Sequence, residues 1–87
     1  MDIYDQALKA YGDSSQLEQL VEESAELIVA IKHYKRGRVL PEKVIEEAVD
    51  VELMLEQLKI IYPETALRAK TRQERLERLA KLLEVPQ

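Results

Sequence analysis

The sequence predicts an all-α protein, an antiparallel bundle of about four helices that is completed by homo-oligomerisation. Sparse Gly and Pro residues divide the chain into four segments, and none of these segments alternates as a strand would. The chain is 46% hydrophobic but has no Phe or Trp, so Leu, Ile, Val and Ala must build its core. Its 87 residues suit one domain, spanning residues 1–87, and bury little surface without a partner.

The first two helices are separated by a cluster of turn and cap residues. Residues 2–11 form a short first helix, and Gly12–Ser15 closes it. The same segment supplies N-cap side chains for a second helix that runs from Gln16 to about Arg36. Gly37 follows a basic last turn, which is typical of a helix C-terminus.

Two prolines delimit the remaining helices. Pro41 suits the first turn of a third helix that runs to about Tyr62, and Pro63 ends it. A last, strongly charged helix covers residues 64–84. A narrow stripe of leucines on this helix favours docking or a dimer contact over a ligand pocket; its members are Leu76, Leu79 and Leu83.

The two long helices carry acids on or beside their apolar faces. At about 100° per residue, Glu47 projects into the apolar face of the third helix and Asp50 lies on its flank. Glu23 borders the apolar stripe of the second helix, and Glu26 lies one turn further on. The expected stripes are Leu17, Leu20, Val21, Leu27, Ile28, Ile31 and Tyr34 on the second helix, and Val44, Ala48, Val51, Met54, Leu55, Leu58 and Ile61 on the third.

This placement of acids predicts a divalent metal site. Burying an unpaired carboxylate costs several kcal/mol unless a proton, a basic partner or a metal ion compensates it. A short loop makes the two helices antiparallel neighbours, so Glu23, Glu26, Glu47 and Asp50 can face one point. Such oxygen ligands suit Mg²⁺ or Mn²⁺. The alternative is that these acids are solvated helix charges or salt-bridge partners of Lys and Arg.

The acidic segments also resemble a known signature. Glu22–Glu26 (EESAE) followed by Glu47–Asp50 (EAVD) resembles the EExxE…ExxD motif of the MazG-like all-α nucleoside triphosphate pyrophosphohydrolases. The likeness covers roughly residues 15–62. It implies Mg²⁺-dependent hydrolysis of (deoxy)nucleoside triphosphates to the monophosphate and pyrophosphate, with Mn²⁺ as the alternative ion. The metal ligands that it implies are Glu23, Glu26, Glu47 and Asp50.

The resemblance implies roles for further residues and an oligomeric state. Glu22 would act in catalysis, by orienting water or holding another metal, and Gln16 would line the base pocket. Lys70, Arg75 and Arg78 would contact the substrate, although this basic stretch is also typical of an ordinary solvated helix. Members are usually homodimers or homotetramers. A second apolar strip on the third helix agrees with such association: Ile45, Val49, Leu53 and Ile60.

Composition narrows the possible partners, the redox chemistry and the cellular location. With 13 Lys+Arg against 17 Asp+Glu, the net charge is −4, which disfavours a nucleic-acid polymer as partner. The chain has no Cys, which excludes disulfides and thiolate chemistry and fits a reducing compartment. The N-terminus lacks the pattern of a signal peptide, and no apolar run suits a membrane span, so we expect a cytoplasmic protein.

Two other functions stay open at this level. One is a non-catalytic helical interaction or regulatory module with the same fold. The other keeps the metal site but acts on a different phosphorylated nucleotide or metabolite. A metal-dependent rise in thermal stability separates the first of these from an enzyme, because a ligand that binds only the folded state stabilises it.

Overall fold

The computed structural model describes residues 2–84 and confirms the all-helical prediction. Four helices account for the regular structure of this range, in the predicted order. They are α1 (Ile3–Tyr11), α2 (Asp13–Lys35), α3 (Pro41–Ile61) and α4 (Thr65–Glu84).

The junction of α1 and α2 is tighter than the sequence suggested. Asp2 caps α1 by accepting a hydrogen bond from the backbone N–H of Asp5 at 2.9 Å. Gly12 has φ +88°, a conformation that favours glycine, and it caps the end of α1 and the start of α2 at once. Helix α2 therefore begins at Asp13 rather than at Gln16. The serines expected to cap it lie within its first turn instead.

The α2–α3 and α3–α4 connections follow their sequence signals. After α2 ends at Lys35, Gly37 takes φ +71°, and its N–H donates to the carbonyl of Tyr34. Pro41 occupies the first turn of α3, where a helix needs no N–H donor. Helix α3 ends at Ile61, just before Pro63.

An antiparallel hairpin of α2 and α3 forms the body of the protein. Helix α1 packs across both, whereas α4 packs against none of α1, α2 and α3 along the part of the chain that the structure describes. Two apolar residues are buried, Ala30 and Met54, and so are two polar ones, Glu47 and Gln57. The interior of the hairpin is therefore as polar as it is apolar, which is unusual for a structural core.

The inner face of α3 matches the predicted stripe, but that of α2 does not. On α3 the stripe residues are buried or half-buried except Leu55, which is exposed. On α2 the inner line runs through Glu23, Leu27 and Ala30, because the helix turns its acid and its smallest side chain toward α3. The outward remainder of the predicted α2 stripe is exposed: Val21, Ile28, Ile31 and Tyr34.

These exposed side chains belong to an open molecule. The radius of gyration is 16.5 Å, against about 12 Å for a compact chain of this length. The second apolar strip of α3 also faces outward, as its residues Ile45, Val49, Leu53 and Ile60 are all exposed. Across residues 2–84, no helix combines the length and the apolar character that a membrane crossing requires.

Candidate metal centre

Three of the predicted acids meet between α2 and α3. Helix α2 contributes Glu23 and Glu26, one turn apart, and α3 contributes Glu47 from the facing turn. One carboxylate oxygen from each lies within 4.8 Å of the others. Glu47 is 6% exposed, Glu23 is half-buried and Glu26 is exposed, so the cluster runs from the interior of the hairpin to its surface.

Glu23 is held in place by a neighbour on its own helix. Gln19, one turn earlier, donates from Nε2 to Glu23 Oε1 at 2.8 Å. The other oxygen, Oε2, is buried and accepts no hydrogen bond. Burial of an unsatisfied carboxylate oxygen is costly, which indicates that a further partner belongs there.

Glu47 has the same arrangement on α3. Lys43, again one turn earlier, places Nζ 2.8 Å from Glu47 Oε1, and Glu47 Oε2 is buried without a hydrogen bond. The lysine is half exposed, so its ammonium group reaches the carboxylate from the surface. Each helix thus fixes one oxygen of a carboxylate and leaves the second, buried oxygen without a hydrogen bond.

The mutual repulsion of the acids appears in their pKa values. The negative charge of neighbouring Glu23 raises the pKa of Glu26 above its ordinary value of 4.5. The hydrogen bond from Lys43 lowers the pKa of Glu47 despite its burial, and Glu47 in turn raises the pKa of Lys43. The acids of the cluster therefore repel one another, and Lys43 offsets this repulsion at Glu47.

The geometry and chemistry of the cluster fit a hard divalent cation. Oxygens on opposite sides of an ion bound at about 2.0–2.6 Å lie about 4–5 Å apart, and the cluster oxygens lie within that span. All the ligands are carboxylates, which favours Mg²⁺ or Mn²⁺ over metals that prefer imidazole or thiolate. The two buried Oε2 atoms, of Glu23 and Glu47, are the atoms of the cluster that have no hydrogen-bond partner.

Asp50, the fourth predicted ligand, lies outside this triad. It is exposed and lines a cleft between α1, α2 and α3 together with Glu23. The cleft has a volume of about 360 Å³. Asp50 and the triad therefore share the Glu23 side of the site, with Asp50 at the mouth of the cleft.

The cleft beside Asp50 carries its own unpaired polar group. Gln57 is 6% exposed and donates from Nε2 to Met54 Sδ at 3.6 Å, while its Oε1 is buried without a hydrogen bond. Tyr4 of α1 also lines the cleft, with apolar side chains and with the polar residues Gln19, Glu23 and Asp50. A cleft that combines an aromatic ring and apolar side chains with a few polar groups has the kind of lining that binds small organic groups.

The other predicted site residues are spread along the chain. Glu22 is exposed on α2, one turn before Glu26, and Gln16 is half-buried near the start of the same helix. On α4, Lys70 lies 3.9 Å from Glu74, Arg75 lines a groove beside the end of α3, and Arg78 is exposed. Because α4 does not pack on α2 or α3, no packing contact within the chain brings these three toward the triad.

Sequence reasoning missed three residues that shape the site: Gln19, Lys43 and Gln57. Gln19 and Lys43 each precede an acid by four residues, the spacing at which side chains on one helix meet. Gln57 follows Asp50 by seven residues and so lies on the same face of α3. These spacings are visible in the sequence, so the three residues could have been predicted from the positions of the acids.

Comparisons with protein-family models, with curated proteins and with solved structures give no match for this chain. The likeness to MazG-like enzymes, and the assignment of residues 1–87 to one such domain, thus stay predictions from the motif. The carboxylate triad and the cleft beside it are therefore the observations that bear on function.

Proposed function

We propose that this protein is a Mg²⁺-dependent nucleoside triphosphate pyrophosphohydrolase, with Mn²⁺ as an alternative ion. The single observation that carries the proposal is the carboxylate triad of Glu23, Glu26 and Glu47, in which two buried oxygens have no hydrogen-bond partner. An all-carboxylate site that leaves coordination positions open is typical of enzymes that bind phosphates through Mg²⁺.

Each acid has a distinct part in this scheme. Glu23 and Glu47 would hold the ion from α2 and α3, with their orientations fixed by Gln19 and Lys43. Glu26 would complete the ligand set from the surface, and the ion would favour its ionised form, since carboxylates bind metals deprotonated. When bound, the ion would join the phosphates to the carboxylates and lower the pKa of a water molecule.

The remaining residues would bind the substrate and manage the proton. The cleft lined by Tyr4, Gln57 and Asp50 is also lined by Glu23 of the triad, and it would receive the organic part of the nucleotide. Glu22, exposed one turn before Glu26, would orient the attacking water or accept its proton. Gln16, the predicted base-pocket residue near the start of α2, is not among the residues that line this cleft.

The reaction consumes one water molecule. Its oxygen forms a bond to one phosphorus of the phosphoanhydride link between the α and β phosphates, and the bridging oxygen leaves with the other phosphorus. The products are a nucleoside monophosphate and pyrophosphate, and a proton of the water passes to an ionised carboxylate or to solvent. The basic side chains Lys70, Arg75 and Arg78 would neutralise the pyrophosphate only from another copy of the chain, because α4 packs on no other helix of its own chain across residues 2–84.

The decisive experiment measures release of pyrophosphate from a panel of nucleoside and deoxynucleoside triphosphates in the presence of Mg²⁺. We expect turnover by the wild type and a loss of at least a hundredfold in Glu47→Gln, which keeps the shape of the side chain but removes its charge. Glu18→Gln is the matched control, because Glu18 is an exposed acid on α2 outside the triad. Turnover by Glu47→Gln at the wild-type rate would overturn the proposal.

We further propose that the enzyme works as a cytoplasmic homodimer or homotetramer. The exposed apolar strips on α2 and α3, among them Val21, Ile28, Ile45 and Val49, support association. So does the small number of buried residues in the single chain. Sedimentation at several protein concentrations measures the oligomeric state directly.

One observation favours the alternative of a metal-free regulatory module. Lys43 already compensates Glu47, and a proton on Glu26 relieves the repulsion from Glu23, so the cluster can persist without an ion. In that case Mg²⁺ would leave the melting temperature unchanged. A thermal melt with and without Mg²⁺ therefore decides between the enzyme and the module.

A further inference from the structure

Helix α4 is an amphipathic basic helix that lacks a partner within its own chain. Across the described residues it packs against none of the other three helices. At about 100° per residue, the leucine stripe of Leu76, Leu79 and Leu83 shares one face with Arg68 and Arg72. All five side chains are exposed. An isolated helix of this length is only marginally stable in water, so α4 needs a surface to pack on.

Charge is divided sharply between α4 and the rest of the protein. The range 65–84 contains six basic and three acidic side chains and so carries +3. The whole chain carries −4, and residues 85–87 are uncharged, which leaves −7 on residues 1–64. The body of the protein is therefore electrostatically complementary to its own last helix.

The outer face of α3 has the matching pattern. It presents the exposed apolar residues Ile45, Val49 and Ile60 on the side away from α2. Around them are four exposed acids, Glu42, Glu46, Glu52 and Glu56. One basic residue shares this side, Lys59, and it is paired with Glu56 at 3.1 Å. An apolar strip bordered by acids is the complement of a leucine stripe bordered by arginines.

We infer that α4 of one copy packs on the outer face of α3 in a second copy of the chain. The inference rests on the proposed homo-oligomer and specifies the surface that joins its subunits. The two helices match in length, with 20 residues in α4 and 21 in α3, or about 30 Å each. Leucines would meet the Ile and Val strip while arginines meet the acids on its border.

Geometry favours the second copy over the same chain as the acceptor. The connection between α3 and α4 is short and contains Pro63, and it directs α4 away from its own α3. The angle between them forms a groove of about 800 Å³, lined in part by Tyr62, Leu67 and Leu76. Two copies that exchange α4 reciprocally would bury both leucine stripes in a closed two-fold arrangement.

Charge reversal on either surface, followed by mixing, tests this exchange. One variant is Arg68→Glu/Arg72→Glu on α4, and the other is Glu52→Lys/Glu56→Lys on α3. Each alone should raise the dissociation constant of the oligomer about tenfold or more, since attraction becomes repulsion at both copies of the contact. Mixed in equal amounts, the two should assemble at wild-type affinity, because every contact in the mixed species pairs opposite charges. Native mass spectrometry resolves this mixed species by its mass.

The matched control is Lys70→Glu/Lys81→Glu, which changes the net charge equally but lies on the opposite face of α4. It should assemble as the wild type does. If both test variants keep the wild-type mass, or if mixing does not restore assembly, the exchange is wrong while the oligomer stands. If the wild type itself is monomeric at all concentrations, the oligomer and the exchange both fail. Pyrophosphate release is assayed separately and does not enter this result.

Discussion

Lys43 Nζ lies 2.8 Å from Glu47 Oε1, and the other oxygen of this buried carboxylate is left without a hydrogen bond. Lys43 therefore pairs with Oε1 of Glu47 and leaves Oε2 available to a different partner. On the facing helix, Gln19 donates a hydrogen bond to Oε1 of Glu23, and Oε2 of Glu23 is likewise buried without a hydrogen bond. Each of the two acids is thus oriented by a residue one turn earlier, Lys43 by an ion pair and Gln19 by a hydrogen bond, which supports the proposed cation site.

The first prediction concerns stabilisation by the ion. At a hundredfold excess over its dissociation constant, Mg²⁺ should raise the melting temperature of the wild type by roughly 10 °C or more. Glu47→Gln should abolish this shift, because it removes one of the three ligands. Differential scanning calorimetry measures it, with Glu18→Gln as the control that should keep the full shift. An unchanged wild-type melting temperature in Mg²⁺ and Mn²⁺ would exclude the metal site.

The second prediction concerns pH. The raised pKa of Glu26 means that, without metal, the native state holds a proton that the unfolded chain releases above the ordinary value of 4.5. The stability that this proton confers is complete below pH 4.5 and is lost as pH rises through the raised pKa. In EDTA, Glu26→Gln should therefore melt above the wild type at pH 7 and converge on it below pH 4.5. A variant that melts at or below the wild type at pH 7 would contradict the repulsion on which this rests.

The third prediction concerns the orientation of Glu23. Gln19→Ala removes the hydrogen bond that fixes Glu23 Oε1, and loss of such an outer-shell contact typically weakens metal binding about 10–100-fold. Calorimetric titration with Mn²⁺ measures the affinity. Gln73→Ala is the matched control, because Gln73 makes the same four-residue contact with Glu77 on exposed α4, at 3.2 Å. Equal affinities in the two variants would show that Gln19 has no orienting role.

The fourth prediction concerns the competition between lysine and metal. Lys43→Met should lower the melting temperature without metal, since it leaves Glu47 buried and uncompensated. It should also enlarge the shift produced by Mg²⁺, because the ion then supplies the only positive charge beside Glu47. Lys59→Met is the control, as Lys59 pairs with exposed Glu56 at 3.1 Å. A Mg²⁺ shift no larger than that of the wild type would contradict the competition.

The sequence predicted those features that depend on the residues of a single helix, such as its ends and its apolar face. Pro41 and Pro63 located the ends of α3, and the periodicity of α3 placed Glu47 inside its apolar face, where the structure buries it. The rotation of α2 was not predictable in this way. Val21 and Glu23 border the same stripe, and only contact with α3 decides which of them turns inward.

Features that depend on several elements escaped prediction for the same reason. The Gly12 junction removed the expected cap because one glycine serves two helices at once. The separation of α4 depends on a connection of three residues, whose direction no periodicity encodes. Within the site, the spacing of four residues between Lys43 and Glu47 is visible in the sequence. Only the structure shows that Glu47 is buried, which makes this ion pair important for the site.

Ala30 has a consequence for the choice of ion. It is the most buried side chain of the hairpin, 3% exposed, and it lies one turn beyond Glu26 on the line that faces α3. A methyl group at this position lets the backbones of α2 and α3 approach closely. Ala30 therefore helps to set the distance between the carboxylate oxygens of the triad. A bulkier residue would wedge the helices apart and shift the preference from small ions toward Ca²⁺. If the triad holds an ion as proposed, a side chain outside the triad would thus help to set which ion fits.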